Sequence, residues 1–280
     1  MSRFSLNQAT IKYATLPEAV RATVDAGIPS IGLWREPVAE FGLEASAALV
    51  RDEGLRVSSL CRGGFFTLVE GPARRAAIDD NRRAIEETAA LGAPALVLVA
   101  GGLSEGSRDI AGARERVRDA IGELAPDAAA AGITLAIEPL HPMYVADRAV
   151  VSTLGQALDI AEQFDASAVG VVVDTFHIFW DPAVLDQIAR AGASGRIASY
   201  QVCDWNLPIA ADALLSRGYP GDGHIDFESL TRAVTTAGYT GDVECEIFNQ
   251  EIWDSSYNDV ARTARDRYVL LVERLLGPHS

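Results

Sequence analysis

The chain has 280 residues, 49% of them apolar and 22% charged, which suits one large globular domain or two small ones with a substantial core. Its formal net charge of −15 argues against nucleic acid or an anionic membrane as partner, since both demand clustered Lys and Arg. The opening residues contain no apolar stretch long enough for a signal peptide, and no apolar run approaches a membrane span. Three cysteines (Cys61, Cys203 and Cys245), an odd number, suit reduced thiols in a cytoplasmic protein.

Along the chain a unit recurs: a helical stretch, a Gly, one or two residues, then a short apolar β-rich run. Phe4–Asn7 is the first candidate strand and Leu16–Ala26 the first helix. Gly27 precedes Ser30–Leu33 and a helix over Val38–Asp52; Gly54 precedes Val57–Leu60 and a helix over Arg74–Leu91. Gly92 leads to Ala95–Val99 and the helix Arg108–Ala131, and Gly132 leads to Thr134–Ile137 and the helix Thr153–Phe164. Looser units place strands at Val169–Val173 and Ile197–Val202 around a helix over Ala183–Ala193. The last unit is Phe227–Ala237, Gly238, Asp242–Ile247 and a closing helix Asp259–Leu276. A Gly just past a helix supplies the left-handed residue that ends it. Eight alternating units predict a single (β/α)8 TIM barrel over residues 1–280. The alternative is a doubly wound open sheet, but no Gly-rich phosphate fingerprint follows the first strand. The longest irregular stretch, Asp204–Asp226, is functional or partly helical at that length.

Three of the apolar runs end in, or carry near their end, an acid: Glu138 after Thr134–Ile137, Asp174 after Val169–Val173, and Glu246 within Asp242–Ile247. An unpaired buried charge costs several kcal/mol or more, so acids normally stay off buried strands. At the C-terminal ends of parallel strands, where ligands and metals sit, they predict a divalent-metal site. Strand alternation puts Glu244 on the same face as Glu246 but deeper, and pairs Gln201 with Cys203. His177, three residues after Asp174, is a candidate to hold substrate or ligate the metal; His141 stands near the mouth with a weaker case. His224 is as good a cap for the last helical unit as a substrate contact. Trp34, Arg62 and Trp205 near strand ends suit a sugar or polyol, whose C–H faces pack on rings while its hydroxyls need polar partners. Arg217, in the long loop, is placed to reach over the mouth.

These motifs give the chain a resemblance, nearly end to end, to the sugar phosphate isomerase/epimerase family. These are xylose isomerase-like TIM barrels that include ketose 3-epimerases, inosose dehydratases and apurinic endonucleases. The resemblance is carried by the segments 136–142, 173–177, 201–205, 221–226 and 243–248 in their order and spacing. It implies one divalent ion held by Glu138, Asp174 and Glu246, with Gln201 where the family has a His. A neutral amide donor favours Mn²⁺ or Mg²⁺, with Co²⁺ and Zn²⁺ less suited. The resemblance also implies His177 and Arg217 as substrate contacts, and Glu138 and Glu246 as the acid/base pair of an enolisation.

The first expectation is therefore a metal-dependent isomerase or epimerase of a keto sugar or related polyol, with an unphosphorylated sugar favoured. The second is a metal-dependent lyase, a dehydratase or β-eliminase on a keto-inositol or keto-glycoside. Gln201 keeps open a third, a non-catalytic sugar-binding barrel. The apurinic endonuclease branch fits least, because it needs a richer His set and this chain has four His. A homo-oligomer is compatible with the fold.

Overall fold

The computed structural model describes residues 2–276. Among them are ten strands: β1 Phe4–Asn7, β2 Ser30–Trp34, β3 Arg56–Gly64, β4 Ala95–Val99, β5 Thr134–Glu138, β6 Val169–Asp174, β7 Ile197–Val202, β8 Asp204–Trp205, β9 Arg217–Gly218 and β10 Val243–Cys245. β1 to β7 and β10 pair in parallel in chain order, and β10 pairs back with β1 to close a TIM barrel. β8 and β9 form a separate antiparallel ribbon inside the long loop after β7.

The alternation of side chains along the strands divides the interior into two packing layers. Leu96, Leu98, Leu135, Ile137, Val171 and Val173 point outward into the main core beneath the helices. Their neighbours Ala95, Val97, Ala136 and Val172 form a smaller cluster with Cys61 inside the barrel. Glu138 and Asp174 follow Ala136 and Val172 by two residues, so the inward parity carries both acids into the mouth. Register sets Asp174 opposite Gln201, Gln201 opposite Glu244, and Glu244 opposite Ser5, a polar layer across four strands. Glu246 lies one inward step above that layer.

Helices cover the barrel where sequence patterning places them. The helix Leu16–Asp25 starts at a capping box in which Glu18 accepts from the Thr15 N–H at 2.8 Å. Ile110–Ala131 ends at Gly132 with φ of 69°. One helix differs from expectation: Val38–Asp52 is two, Arg35–Phe41 and Leu43–Asp52, broken at Gly42. The φ of 97° at Gly42 lies outside the right-handed helical region, so the axis must turn there. No described helix is long and apolar enough to cross a membrane.

Candidate active site

β6 ends in Asp174, whose Oδ1 accepts from the Phe176 N–H at 2.8 Å and caps the single turn Thr175–Ile178. That turn fixes His177, buried, beside the acid that precedes it. The His141 N–H donates to His177 Nδ1 at 3.1 Å. Burial, then the nearby Arg217 charge, hold the His177 pKa well below the ordinary imidazole value, so the ring is neutral. Oxygen or nitrogen atoms of Glu138, Asp174 and His177 all lie within 4.8 Å of one another.

Arg217 arrives from β9 and is only 2% exposed. Its Nη1 reaches Glu246 Oε2 at 2.9 Å and Asp174 Oδ2 at 3.2 Å, and Nη2 stands 2.9 Å from His177 Nε2. The rings of Phe176 and Phe248 lie 4.7 and 5.0 Å from the guanidinium carbon. Asp204 holds the loop that delivers this arginine, accepting main-chain N–H groups from Trp205, Gly221 and Ile225 at 2.8, 2.8 and 3.0 Å. Asn249 adds a bond to the Arg217 carbonyl at 2.9 Å.

Charge is unbalanced here. Glu138, Asp174 and Glu246 are all buried, and Arg217 is the one cation bonded among them. Burial pushes the Glu138 carboxyl well above its ordinary range, and repulsion from Glu246 and Asp174 pushes it further. Burial likewise lifts Glu246 to about 7 against the pull of Arg217, and raises Asp174 while Arg217 and the Phe176 N–H favour its charge. Glu138 accepts no hydrogen bond from any described residue.

The deeper Glu244 contrasts with this. Its Oε1 accepts from Asn7 Nδ2 at 2.6 Å and Gln201 Nε2 at 3.2 Å, and its Oε2 accepts from Ser59 Oγ at 2.8 Å and from Ser58 Oγ. Gly32 makes room for it, since a Cβ there would stand 2.6 Å from the Glu244 carboxyl carbon. Gln201 spends its amide N–H on Glu244, and its Oε1 is buried with no partner. Buried polar atoms are nearly always paired, so this oxygen marks an unmet acceptor beside the acids.

A cavity of about 520 Å³ opens over these groups and is lined by Lys12, Trp34, Arg62, Glu138, His177, Arg217, Glu246, Phe248 and Trp253 among others. Of the residues singled out from sequence, Asp174 and Gln201 are buried and do not line it. His141 and Trp205 do not line it: their rings pack together at 5.1 Å, with Trp205 also against Phe176 at 4.7 Å. His224 is exposed away from it, and Asp226 caps the helix Phe227–Thr236 instead. Lys12, Asn7, Phe248 and Trp253 escaped the sequence reading; Lys12 had one available signal, being the only lysine in the chain. A larger cavity of about 770 Å³ lies at the opposite end of the barrel, but there Arg56 is already paired with Asp242 and no acid cluster forms.

A closed eight-stranded barrel with buried acids at the C-terminal strand ends defines a class of protein, the TIM barrels that carry chemistry at that rim. Residues 20–268 match the family described as xylose isomerase-like TIM barrel, and the chain belongs to that family. It is 27% identical over 153 residues to the inosose isomerase of Halalkalibacterium halodurans, covering 54% of this chain and 52% of that one. With the L-ribulose 3-epimerase of Mesorhizobium japonicum it shares 28% identity over 137 residues, 49% of this chain and 41% of the other. The chain thus spans about half the length of these relatives. Similarity to the 3-dehydroshikimate dehydratase of Pseudomonas aeruginosa is 27% over 258 residues, 86% of this chain and 37% of that protein. Among solved structures, protein SMc04130 from Sinorhizobium meliloti 1021 superposes with a TM-score of 0.93 at 47% identity, covering 96% of this chain and 98% of its own.

Proposed function

We propose that the chain is a divalent-metal-dependent isomerase or epimerase acting on a keto sugar or related polyol through an enediolate. The observation that carries this reading is the uncompensated charge at the mouth. Of three buried acids, Asp174 and Glu246 share one guanidinium and Glu138 has no cation bonded to it, and the buried Gln201 Oε1 has no partner. A hard divalent cation answers both deficits, so the residues fit such an ion. Glu138, Asp174, Glu246 and Gln201 would hold it, all through oxygen, which favours Mn²⁺ or Mg²⁺. A similar fold, the IOLI protein at 22% identity, has been solved with zinc bound. The cation would supply Lewis acidity to a ketone and its neighbouring hydroxyl.

The protein groups then divide the remaining work. Glu138 and Glu246, both raised above the ordinary carboxylate range by burial, move the proton on and off the carbon between ketone and hydroxyl. His177, neutral, stands 2.9 Å from Arg217, and Arg217 fixes Glu246 while facing the cavity. Trp34 and Phe248 give the sugar an apolar wall.

The test is elemental analysis of the wild type beside Glu246→Ala. About one Mn, Mg, Co or Zn per chain is expected in the wild type and little in the variant, after which inosose and L-ribulose are assayed for C–H exchange in D₂O. A wild type that stays empty after incubation with Mn²⁺ would overturn the reading and favour a non-catalytic sugar-binding barrel. The lyase is the second reading, favoured by the 86% coverage against a dehydratase. Elimination leaves an enone or diketone chromophore that epimerisation does not.

A further inference from the structure

The cavity holds two cations that the enolising groups do not use. Arg62, at the end of β3, is half-buried and lines the wall, yet it makes no hydrogen bond and no ion pair with any described residue. Its guanidinium carbon lies 4.9 Å from the Phe65 ring and 5.7 Å from the Trp34 ring. Lys12, though solvent-exposed, lines the same cavity, 4.5 Å from the Trp253 ring, with no carboxylate paired to it. It is the chain's only lysine, against 23 arginines from a Lys+Arg total of 24.

Elsewhere on this acidic chain cations are mostly spent. Arg35 is shared between Asp80 and Glu87, Arg190 between Asp159 and Glu162, and at the same mouth Arg148 pairs with Asp147 and Asp212. The other acids near Lys12 and Arg62 are Glu36 and Glu40 on an adjoining cavity, and Glu138 and Glu246 on the floor. None is bonded to either cation. Aromatic faces hold a cation in place without consuming its N–H donors or neutralising its charge. Two cations so held on the wall of one cavity, with their donors unclaimed, are built to receive anionic oxygens.

We propose that Lys12 and Arg62 form an anion subsite, and that the substrate is a hydroxylated ketone bearing a carboxylate or phosphate. The inference rests on the enolising reading of the same cavity and narrows its substrate class away from the uncharged sugar that the sequence favours.

The test uses two matched pairs of ligands on Mn²⁺-loaded protein: 3-dehydroshikimate against inosose, and ribulose 5-phosphate against L-ribulose. Binding is measured by calorimetry in wild type, Lys12→Met/Arg62→Met, and Arg118→Met as a control that removes a cation from an outer helix. In at least one pair the anionic member is expected to bind about tenfold to a hundredfold tighter. The pair that shows the preference distinguishes carboxylate from phosphate. That ratio should collapse in the double variant and persist in Arg118→Met. Equal affinity for neutral and anionic members, or a preference that survives the double variant, would overturn the subsite.

Inorganic phosphate, followed by quenching of tryptophan fluorescence, separates this failure from failure of the enolase-type reading. Phosphate binding that is lost in the double variant while no ketone exchanges C–H keeps the subsite and removes the enzyme. Exchange on neutral ketones with no phosphate binding keeps the enzyme and removes the subsite. If the double variant does not fold, the wild-type affinity ratios decide alone.

Discussion

Glu244 and Glu246 stand two residues apart at one strand end and are both buried, yet their surroundings differ in kind. Glu244 is met by four neutral donors from β1, β3 and β7; burial raises its carboxyl, and these hydrogen bonds pull it back down. Glu246 shares a single guanidinium with Asp174 and faces Glu138 across the mouth. A barrel can bury a carboxylate safely when it surrounds it with dipoles. One that instead gathers acids and leaves them under-compensated stores an unmet demand for positive charge or protons. The lower acid therefore reads as structural, the upper three as chemical.

Substitutions that exchange the two behaviours test this contrast most sharply. Glu138→Gln keeps the shape of the upper cluster but removes a proton acceptor; C–H exchange on the ketone substrate is expected to fall about 10²- to 10⁴-fold. Retained exchange would show that Glu138 moves no proton. Next in size, Glu244→Ala strands four donors around a void and should lower folding stability by about 3–5 kcal/mol in urea titrations. Glu246→Ala should cost the metal-free protein far less. Similar losses for both would erase the distinction.

A third measurement separates them by pH. Glu246 sits at about 7 in the folded protein against an ordinary value of 4.5. For an acid raised in this way, the stabilisation is fully present below 4.5 and is lost as pH rises through about 7. Glu246→Gln stays neutral throughout. Its Tm should match that of metal-free wild type near the acid end of this window and exceed it increasingly toward the upper end, with Mn²⁺ reversing the order. A constant Tm difference would contradict the raised carboxyl. The smallest effect is expected at Gln201→His, where an imidazole replaces the amide oxygen beside Glu244. Competition dialysis should then move preference from Mn²⁺ toward Zn²⁺.

The barrel was legible because five of the β-rich runs follow a helix-ending Gly, as at Gly92 before Ala95–Val99 and Gly132 before Thr134–Glu138. The three acids were legible because each interrupts an apolar run on the inward parity. What the sequence could not display depends on closure in space. The polar shell of Glu244 assembles from three other strands, and nothing local in Ser58, Ser59 or Asn7 announces it. The β8–β9 ribbon, two residues per strand, is too short to show a period, so the means by which Arg217 is held stayed hidden. The break at Gly42 was masked by helical patterning on both sides of it. Lys12 follows β1 in a short turn and meets Trp253 only when β1 closes against β10.

The solitary lysine has a practical consequence. An amine-selective acylating reagent finds a single side-chain target in this protein, and that target stands on the wall of the cavity beside Trp253. The rate at which Lys12 is labelled is therefore a direct occupancy gauge for the mouth, readable by mass spectrometry without knowing the substrate. Any compound library can be ranked by how well it shields that one amine.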